Sequence, residues 1–100
     1  MVRLQPMQVE GHSVIGVEVD LPKTHLLIIT TEKGYIMCGA LDVGLLNEKL
    51  AQRGILAGRA VGVRTLEDLL EAPLEMVTTQ AEQQGIHAGM SGREALLKMV

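Results

Sequence analysis

Aromatic side chains are almost absent from this chain, which has no Trp, no Phe and a single Tyr among its 100 residues. Because 47% of the residues are nevertheless apolar, the core must be built from Leu, Ile, Val, Ala and Met side chains. This length suffices for one such core, so we expect a single domain spanning residues 1–100. An aliphatic surplus in so small a domain also favours burial of some apolar surface between subunits. We therefore expect a homo-oligomer, and a well-packed monomer is the alternative.

Basic residues are scarce and scattered, and the net charge is −3. Without a Lys/Arg cluster or an aromatic and basic platform, we expect no nucleic acid partner. The single cysteine, Cys38, excludes an internal disulfide framework and indicates a reducing compartment. Residues 1–6 lack the apolar stretch of a signal peptide, and the apolar run 26–29 is far too short to span a membrane. We expect a cytoplasmic protein without membrane contact, and no motif points to a metal or cofactor.

The first forty residues have the pattern of β-strands. Apolar and polar residues alternate over 15–21, which predicts a strand with one buried and one wet face. Residues 25–31 are almost entirely apolar or β-branched, which favours a strand in the interior of a sheet. The turn 22–23 separates these two strands, and a hairpin loop then leads into a returning strand at 35–38. This half predicts an antiparallel meander, preceded by a short extended piece that begins at Val9.

After Ala40 the apolar residues recur mainly with the period of helices. Asp42 favours a helix start as a cap, and the capping boxes that begin at Thr65 and Ser91 predict two more. Pro73 is itself compatible with a first helical position. The predicted elements of this half are helix 43–50, strand 55–63, helix 66–72, helix 73–85 and a last helix from 92. Together the two halves predict an α+β fold, a two-layer α/β arrangement in which a mixed sheet with an N-terminal antiparallel meander carries three to four helices mainly on one face.

The strongest candidate for a functional site is the predicted strand-to-helix junction at Cys38, Gly39 and Asp42. Backbone N–H groups at a helix start stabilise a thiolate, so Cys38 is a candidate catalytic nucleophile. Gly39 allows a ligand to approach the backbone closely, and Asp42 is either a ligand-binding residue or only the helix cap. A nucleophile needs a base, and the spacing singles out none of the three histidines. The alternative is that Cys38 is a small buried hydrophobic residue, as a free cysteine usually is.

Two candidate ligand-binding arginines, Arg59 and Arg64, flank a run of small residues that leads to the Thr65 cap. A guanidinium beside the free N–H groups of a helix start favours a carboxylate or a phosphate. Because residues five apart on a strand point to opposite faces, the two arginines are not expected to form one clamp. The alternative is a pair of solvated or interfacial arginines.

Ser91 and Arg93 form a third candidate anion site at the glycine-containing start of the last predicted helix. The capping box explains Ser91 without any ligand, whereas Gly92 and Arg93 have no such explanation. If the helix starts converge on one edge of the sheet, Cys38, Arg64 and Arg93 are expected to line a single pocket.

Four stretches of the chain together resemble a known family. They are Gly34-Tyr35-Ile36-Met37-Cys38-Gly39-Ala40-Leu41-Asp42 and residues 45–50, 57–65 and 89–96. In these stretches the chain resembles the small YunC family of bacteria and archaea, which is described as a domain of unknown function. The resemblance extends over nearly the whole chain and implies a stand-alone, single-domain cytosolic protein with an α/β-type fold. It implies no activity, no substrate and no catalytic residues.

Two functions are therefore expected from the residues themselves. The glycine-rich helix starts near Cys38 favour binding of a small anionic metabolite, with catalysis by Cys38 left open. The aliphatic surplus and the lack of a complete catalytic constellation favour a non-enzymatic homo-oligomeric structural or adaptor module. A domain of this size leaves room only for a small ligand or for one bound between subunits.

Overall fold

In the computed structural model, which describes residues 1–39, 43–48 and 53–100, the chain forms one mixed sheet with helices packed on it. The strands lie side by side in chain order and are β1 (Val2–Val9), β2 (His12–Leu21), β3 (Thr24–Thr30), β4 (Gly34–Met37), β5 (Leu56–Arg59) and β6 (Met76–Val77). All neighbours are antiparallel except β4 and β5, which are parallel. The predicted α+β class and the N-terminal antiparallel meander are confirmed.

The helices of the described residues are short. They are α1 (Val43–Glu48), α2 (Leu66–Glu71), α3 (Thr79–Gln83) and α4 (Gly92–Leu97). Across the part of the chain that the structure describes, none of them has the length and hydropathy needed to cross a membrane.

Two tight turns set the register of the meander. Glu10 (φ 50°) and Gly11 (φ 84°) both adopt a left-handed backbone, as a two-residue turn between twisted strands requires. Pro22 and Lys23 form the second turn, as predicted, with Lys23 in the left-handed conformation (φ 59°). Each turn leaves only two residues outside the pairing, so the alternation along one strand is matched by that of the next.

The first strand is longer than the sequence pattern indicated. It extends back to Val2 and ends at Val9, where the sequence predicted only the beginning of an extended piece. Pro6 lies within this strand and obscured it in the sequence, because proline cannot donate a ladder hydrogen bond. The strand tolerates Pro6 because β1 is at the edge of the sheet, where one side of the backbone needs no partner.

The inner face of the sheet packs against α2 and α4 and holds the core. Leu27, Ile29 and Ile36 point to this face and are at most 1% exposed. They belong to one apolar cluster with Leu66 of α2 and Leu96 of α4. The core is therefore aliphatic, as the composition predicted.

The helix α1 lies on the other face, which we call the outer face. A parallel pair needs a crossover connection, and α1 is its described part. Val43 of α1 packs with Ala57 of β5 and with the partly buried Tyr35 of β4. Because Tyr35 alternates with Ile36, α1 lies on the face opposite to α2 and α4. The helices therefore lie mainly, but not entirely, on one face, as predicted.

The prediction of one helix from Pro73 to Gly85 is wrong. Pro73 pairs with Ser91 in an isolated antiparallel bridge, and the short edge strand β6 follows. The helix α3 begins only at Thr79, with Thr78 as its cap. The bridge and the pairing of β6 with β5 are long-range contacts, which the local helix-start signal of a proline does not reveal.

The buried hydroxyl of Thr78 joins β5 to α3. Thr78 is 2% exposed, and its Oγ1 donates to the main-chain oxygen of Ile55 at 2.6 Å. The same oxygen accepts from the N–H groups of Ala57 and Ala81, both at 3.2 Å. We expect Thr78→Ala to lower the free energy of unfolding by about 2 kcal/mol, because it removes a helix cap and leaves buried main-chain groups without partners. Urea denaturation measures the loss, and Thr79→Ala at the exposed neighbour is the control, with an expected change below about 0.5 kcal/mol. Similar losses in the two variants would contradict this role.

Candidate functional site

Cys38 lies just past the end of β4 and is 8% exposed. Its N–H donates to the main-chain oxygen of Leu27 at 3.0 Å, and its side chain belongs to the main apolar cluster. A buried free cysteine of this kind behaves as a small hydrophobic residue. Gly39 beside it is exposed, whereas Asp42, the third residue of the predicted junction, lies outside the described residues.

No histidine is hydrogen-bonded to Cys38 in the described part of the chain. His12 is exposed at the start of β2, and His25 lies between two carboxylates of β2 at 3.2 and 3.5 Å. His87 Nδ1 lies 3.1 Å from the main-chain oxygen of the next residue. The histidines therefore occupy three other places, and the described residues also include no group of three His, Cys, Asp or Glu side chains suited to a metal ion.

The carboxyl ends of the parallel strands β4 and β5 mark a point at which the chain continues to opposite faces of the sheet. It continues into α1 after β4 and into α2 after β5. Open α/β sheets bind ligands at such a point. A Cβ on Gly39 would lie 3.4 Å from Val61 Cγ1, and one on Gly62 (φ 76°) would meet nothing within 4 Å. Arg64 follows with an exposed side chain, and its N–H donates to the carboxylate of Asp68 at 3.2 Å. This edge combines an approachable backbone with an exposed cation.

Arg59 lies on the side of β5 that neighbours β6. It ends the strand on the outer face, where its guanidinium is hydrogen-bonded to the carboxylate of Glu75. The same guanidinium contacts Met76 Sδ at 2.9 Å. Arg59 therefore neutralises a carboxylate at the edge formed by β5 and β6, and Arg64 belongs to a different part of the surface.

Both predicted helix caps are present and use their hydroxyl groups within the chain. Thr65 Oγ1 accepts from the N–H of Asp68 at 3.0 Å. Ser91 Oγ accepts from the N–H of Glu94 at 3.2 Å and donates to its carboxylate at 3.1 Å. These bonds cap α2 and α4 as the sequence predicted.

The two residues of α4 that its capping box left unexplained are explained by contacts with α2. Gly92 packs on the main chain of α2, where an added Cβ would lie 2.2 Å from the oxygen of Leu69. Arg93 forms an ion pair with Glu71, with its Nη2 2.8 Å and its Nε 2.9 Å from the carboxylate. The glycine thus allows close packing of helices, and the arginine already holds an anion of the chain itself.

The length of α2 separates Arg64 from Arg93. Arg64 precedes the first turn of α2, whereas the N–H of Gly92 donates to the main-chain oxygen of Ala72 at its other end, at 3.2 Å. A helix of six residues is about 9 Å long. The structure therefore does not bring these two arginines into one pocket, although it does place Gly39 beside the segment that leads to Arg64.

A different surface stands out once the sheet is assembled. The outer face of the meander consists of the side chains of β1 to β3 that point away from α2 and α4. They include an apolar set, Val2, Leu4, Pro6, Ile15, Val17, Val19, Leu21, Leu26 and Ile28. Leu4 is 70%, Val2 63%, Leu21 49% and Ile15 48% exposed. Large aliphatic side chains thus remain in water on β1 and β2, whereas Leu26 and Ile28 of β3 are half-buried.

The alternation along β2 explains why the sequence pattern did not predict this exposed apolar surface. The residues buried under the helices are Val14 and Gly16, and a Cβ on Gly16 would lie 2.6 Å from Leu66 of α2. The apolar row of 15–21 therefore faces outward, on the side away from α2. The signal that could have found the surface is the second apolar row at Val2, Leu4 and Pro6, which pairs with it.

The charged side chains of the meander lie on the inner face, beyond the helices. Arg3 is hydrogen-bonded to Glu18, a contact that raises the pKa of the arginine, and His25 lies 3.2 Å from Asp20. The outer face of β1 to β3 carries no charged residue at all. A sheet that keeps one face in water normally has the polar residues on that face, so the meander has the pattern of a sheet whose outer face is also covered.

Comparison with known proteins places the chain among proteins of unknown function. The family described as "Domain of unknown function (DUF1805)" matches residues 37–99. The chain is 63% identical to the uncharacterized protein YunC of Bacillus subtilis (strain 168), over 100% of this chain and 99% of that protein. Its fold is similar to the crystal structure of a protein of unknown function, TA1206, from Thermoplasma acidophilum, with a TM-score of 0.89 and 31% identity over 100% of this chain and 94% of that one. The chain therefore belongs to the YunC-like DUF1805 family, which confirms the resemblance in its sequence.

Proposed function

We propose that the chain is a non-enzymatic homo-oligomeric structural or adaptor module of the cytoplasm, whose subunits meet through the outer face of the meander. One observation carries the proposal. The apolar face extends over three strands, yet Val2, Leu4, Ile15 and Leu21 on two of them are 48–70% exposed in the single chain. Apolar surface left in water costs roughly 25 cal/mol per Å², so a face of this kind favours a partner. The free thiol of Cys38 supports a reducing compartment.

A second copy of the chain is the occupant that suits this face. Because no charged residue lies on it, two copies meet there without burying an unpaired charge. Three strands about 4.8 Å apart and about nine residues long have a flat footprint of roughly 14 by 30 Å, or about 400 Å². A specific interface needs at least about 500 Å² of accessible surface per partner. Side chains that stand above the pleat raise the accessible area above the footprint, so the area of the face is of the order that self-association needs.

Sedimentation equilibrium of the purified chain tests the proposal. We expect a mass that is a multiple of that of one chain at micromolar concentrations, since a standard-sized apolar interface supports such affinities. A single species with the mass of one chain at concentrations up to about 1 mM would contradict it, because the free energy of association is then smaller than about 4 kcal/mol.

A second function, binding of a small anionic metabolite near Cys38, is favoured by a different observation. The helices α1 and α2 leave the carboxyl ends of β4 and β5 toward opposite faces, and ligands bind open α/β sheets at such points. Gly39 and Gly62 make the backbone approachable, and the exposed guanidinium of Arg64 suits a carboxylate or phosphate. In this proposal Gly39 and Arg64 bind the anion, whereas Arg59, Ser91 and Arg93 keep the partners that they have within the chain.

Titration with inorganic phosphate, followed by backbone amide NMR, tests this second function. We expect saturable shifts at Gly39 and Gly62 that are lost in Arg64→Gln. Arg93→Gln is the control and should keep them, because Arg93 is held by Glu71 at the other end of α2. Identical titrations in the two variants, or no saturable shift, would rule the site out.

The reactivity of the Cys38 thiol tests a catalytic role of this residue, independently of anion binding. Since the thiol is 8% exposed and packed in the core, we expect the folded chain to react with a disulfide reagent at least about 100-fold more slowly than the urea-unfolded chain. If the thiol of the folded chain reacts as fast as that of the unfolded chain at neutral pH, the result would contradict a buried thiol and support Cys38 as a nucleophile.

A further inference from the structure

Two grooves meet at the amino-terminal ends of β4 and β5, the end of the parallel pair opposite to Cys38. One has a volume of about 320 Å³ and lies beside the loop between β3 and β4. The other has a volume of about 270 Å³ and lies between the end of α1 and α3. Gly54 and Ile55 line both, so the two grooves adjoin at these residues, and we call the pair the groove. The larger of the two reaches the lower end of the size range of small-molecule sites, about 300–1,000 Å³.

One end of this groove is cationic. Lys33 and Arg53 line it and are both exposed, and Glu32 is the acidic residue beside them. The guanidinium of Arg53 makes no hydrogen bond or ion pair with any other residue that the structure describes. Lys33 Nζ lies 3.4 Å from the main-chain oxygen of Val100. In a chain whose net charge is −3, two cations beside one carboxylate favour an anion at this end.

The other end of the groove is uncharged and rich in side-chain amides. Asn47 Oδ1 accepts from the N–H of Thr79 at 2.8 Å, which leaves the amide NH₂ of Asn47 as a donor. Gln80 is half-buried, and its amide lies 3.9 Å from the position that a Cβ on Gly54 would take. Gln83 also lines this end. These amides offer both donors and acceptors to a neutral polar group.

We propose that this groove binds a small elongated molecule with a carboxylate or phosphate at one end and an amide or hydroxyl-bearing group at the other. The anionic end pairs with Lys33 and Arg53, and the uncharged end lies against Asn47 and Gln80. β4 and β5 each have four residues and are about 13 Å long. The groove is therefore a separate site from the edge at Gly39, and it goes beyond both proposed functions.

Backbone amide NMR of the full chain tests the proposal with three probes: N-acetylglycine, its neutral analogue N-acetylglycinamide, and inorganic phosphate. We expect N-acetylglycine to shift the amides of Lys33, Gly54 and Gln80 in a saturable manner. The neutral analogue should bind at least about tenfold more weakly, because it cannot form charge-assisted hydrogen bonds with the two cations. Phosphate should shift Lys33 and leave Gln80 unchanged. Equal affinity for N-acetylglycine and its neutral analogue, or shifts that do not saturate, would overturn the proposal.

Variants at each end of the groove separate its two halves. Arg53→Gln is expected to weaken N-acetylglycine binding at least about tenfold. Arg93→Gln removes an arginine that is held by Glu71 at the far end of α2 and is expected to leave the binding unchanged. Gln80→Leu should weaken N-acetylglycine and leave phosphate unaffected, and the unshifted amides of each variant report that it is folded. Equal effects of Arg53→Gln and Arg93→Gln, or a loss of phosphate binding in Gln80→Leu, would contradict the assignment.

Discussion

Ile15→Glu is expected to separate the proposed assembly into single folded chains. The substitution places a carboxylate without a partner in each copy of the interface, which costs at least about 3 kcal/mol. The dissociation constant should therefore rise at least about 100-fold. Ile15 is already 48% exposed in the single chain, so the free energy of unfolding of the monomer should change by less than about 1 kcal/mol. Sedimentation at fixed concentration measures the first effect, and urea denaturation measures the second.

Gln5→Glu is the matched control for this variant. Gln5 is exposed on the neighbouring strand β1 and pairs with Gly16, so it points to the inner face. It introduces the same charge on the same hairpin but outside the proposed contact, and the assembly should persist. An Ile15→Glu chain that keeps the mass of the wild-type assembly would place the interface elsewhere. Equal dissociation by both variants would point to a general effect of charge.

Gly92→Ala is expected to destabilise the fold by about 3 kcal/mol, because overpacking against groups that cannot move is costly. An added Cβ would lie 2.2 Å from the main-chain oxygen of Leu69 and 2.7 Å from Ile36 Cδ1. The Leu69 oxygen belongs to α2 and cannot rotate away as a side chain can. Alanine favours helix over glycine by at most about 1 kcal/mol, so the steric effect decides the sign. Urea denaturation measures the change in the free energy of unfolding.

Gly39→Ala provides the comparison for this prediction. Its added Cβ would meet only Val61 Cγ1, at 3.4 Å, on an exposed and movable side chain. We expect a change below about 1 kcal/mol in either direction. If Gly92→Ala is as mild as Gly39→Ala, close packing of α4 on α2 is not the reason for the glycine, and the reading of the α4 start as an anion site regains support.

Features that depend on neighbouring residues were readable from the sequence. The capping boxes at Thr65 and Ser91 bond to residues three positions ahead, and the turn at Pro22 and Lys23 depends on two residues. Such chemistry is complete within a few positions, so a pattern predicts it well. Pro73 is the contrasting case, because its local signal for a helix start loses to a bridge with Ser91, eighteen positions away along the printed sequence.

The environment of the candidate site residues was less predictable, because two of the candidate arginines form ion pairs with residues that are distant in the sequence. Arg59 bonds to Glu75, sixteen positions away, and Arg93 to Glu71, twenty-two positions away. No local pattern marks these partners, so both arginines looked available for a ligand in the sequence.

The sequence pattern also did not predict which face of the sheet the helices cover. The alternation over 15–21 predicts two distinct faces, but it does not say which face receives α2. The absence of a Cβ on Gly16 decides it, because Leu66 occupies that space. The outer face then keeps the larger apolar row, and this surplus is what leads to the proposed assembly.

The solvent accessibility of individual methyl groups in the native protein tests the proposed assembly most directly. Methyl NMR with a soluble paramagnetic probe compares Leu4 and Ile15 of the outer face with Val61, which is 51% exposed in the loop after β5. Leu4 and Ile15 are 70% and 48% exposed in the single chain, yet the account predicts that both are protected while Val61 relaxes rapidly. Relaxation of Leu4 and Ile15 as fast as that of Val61 would contradict it.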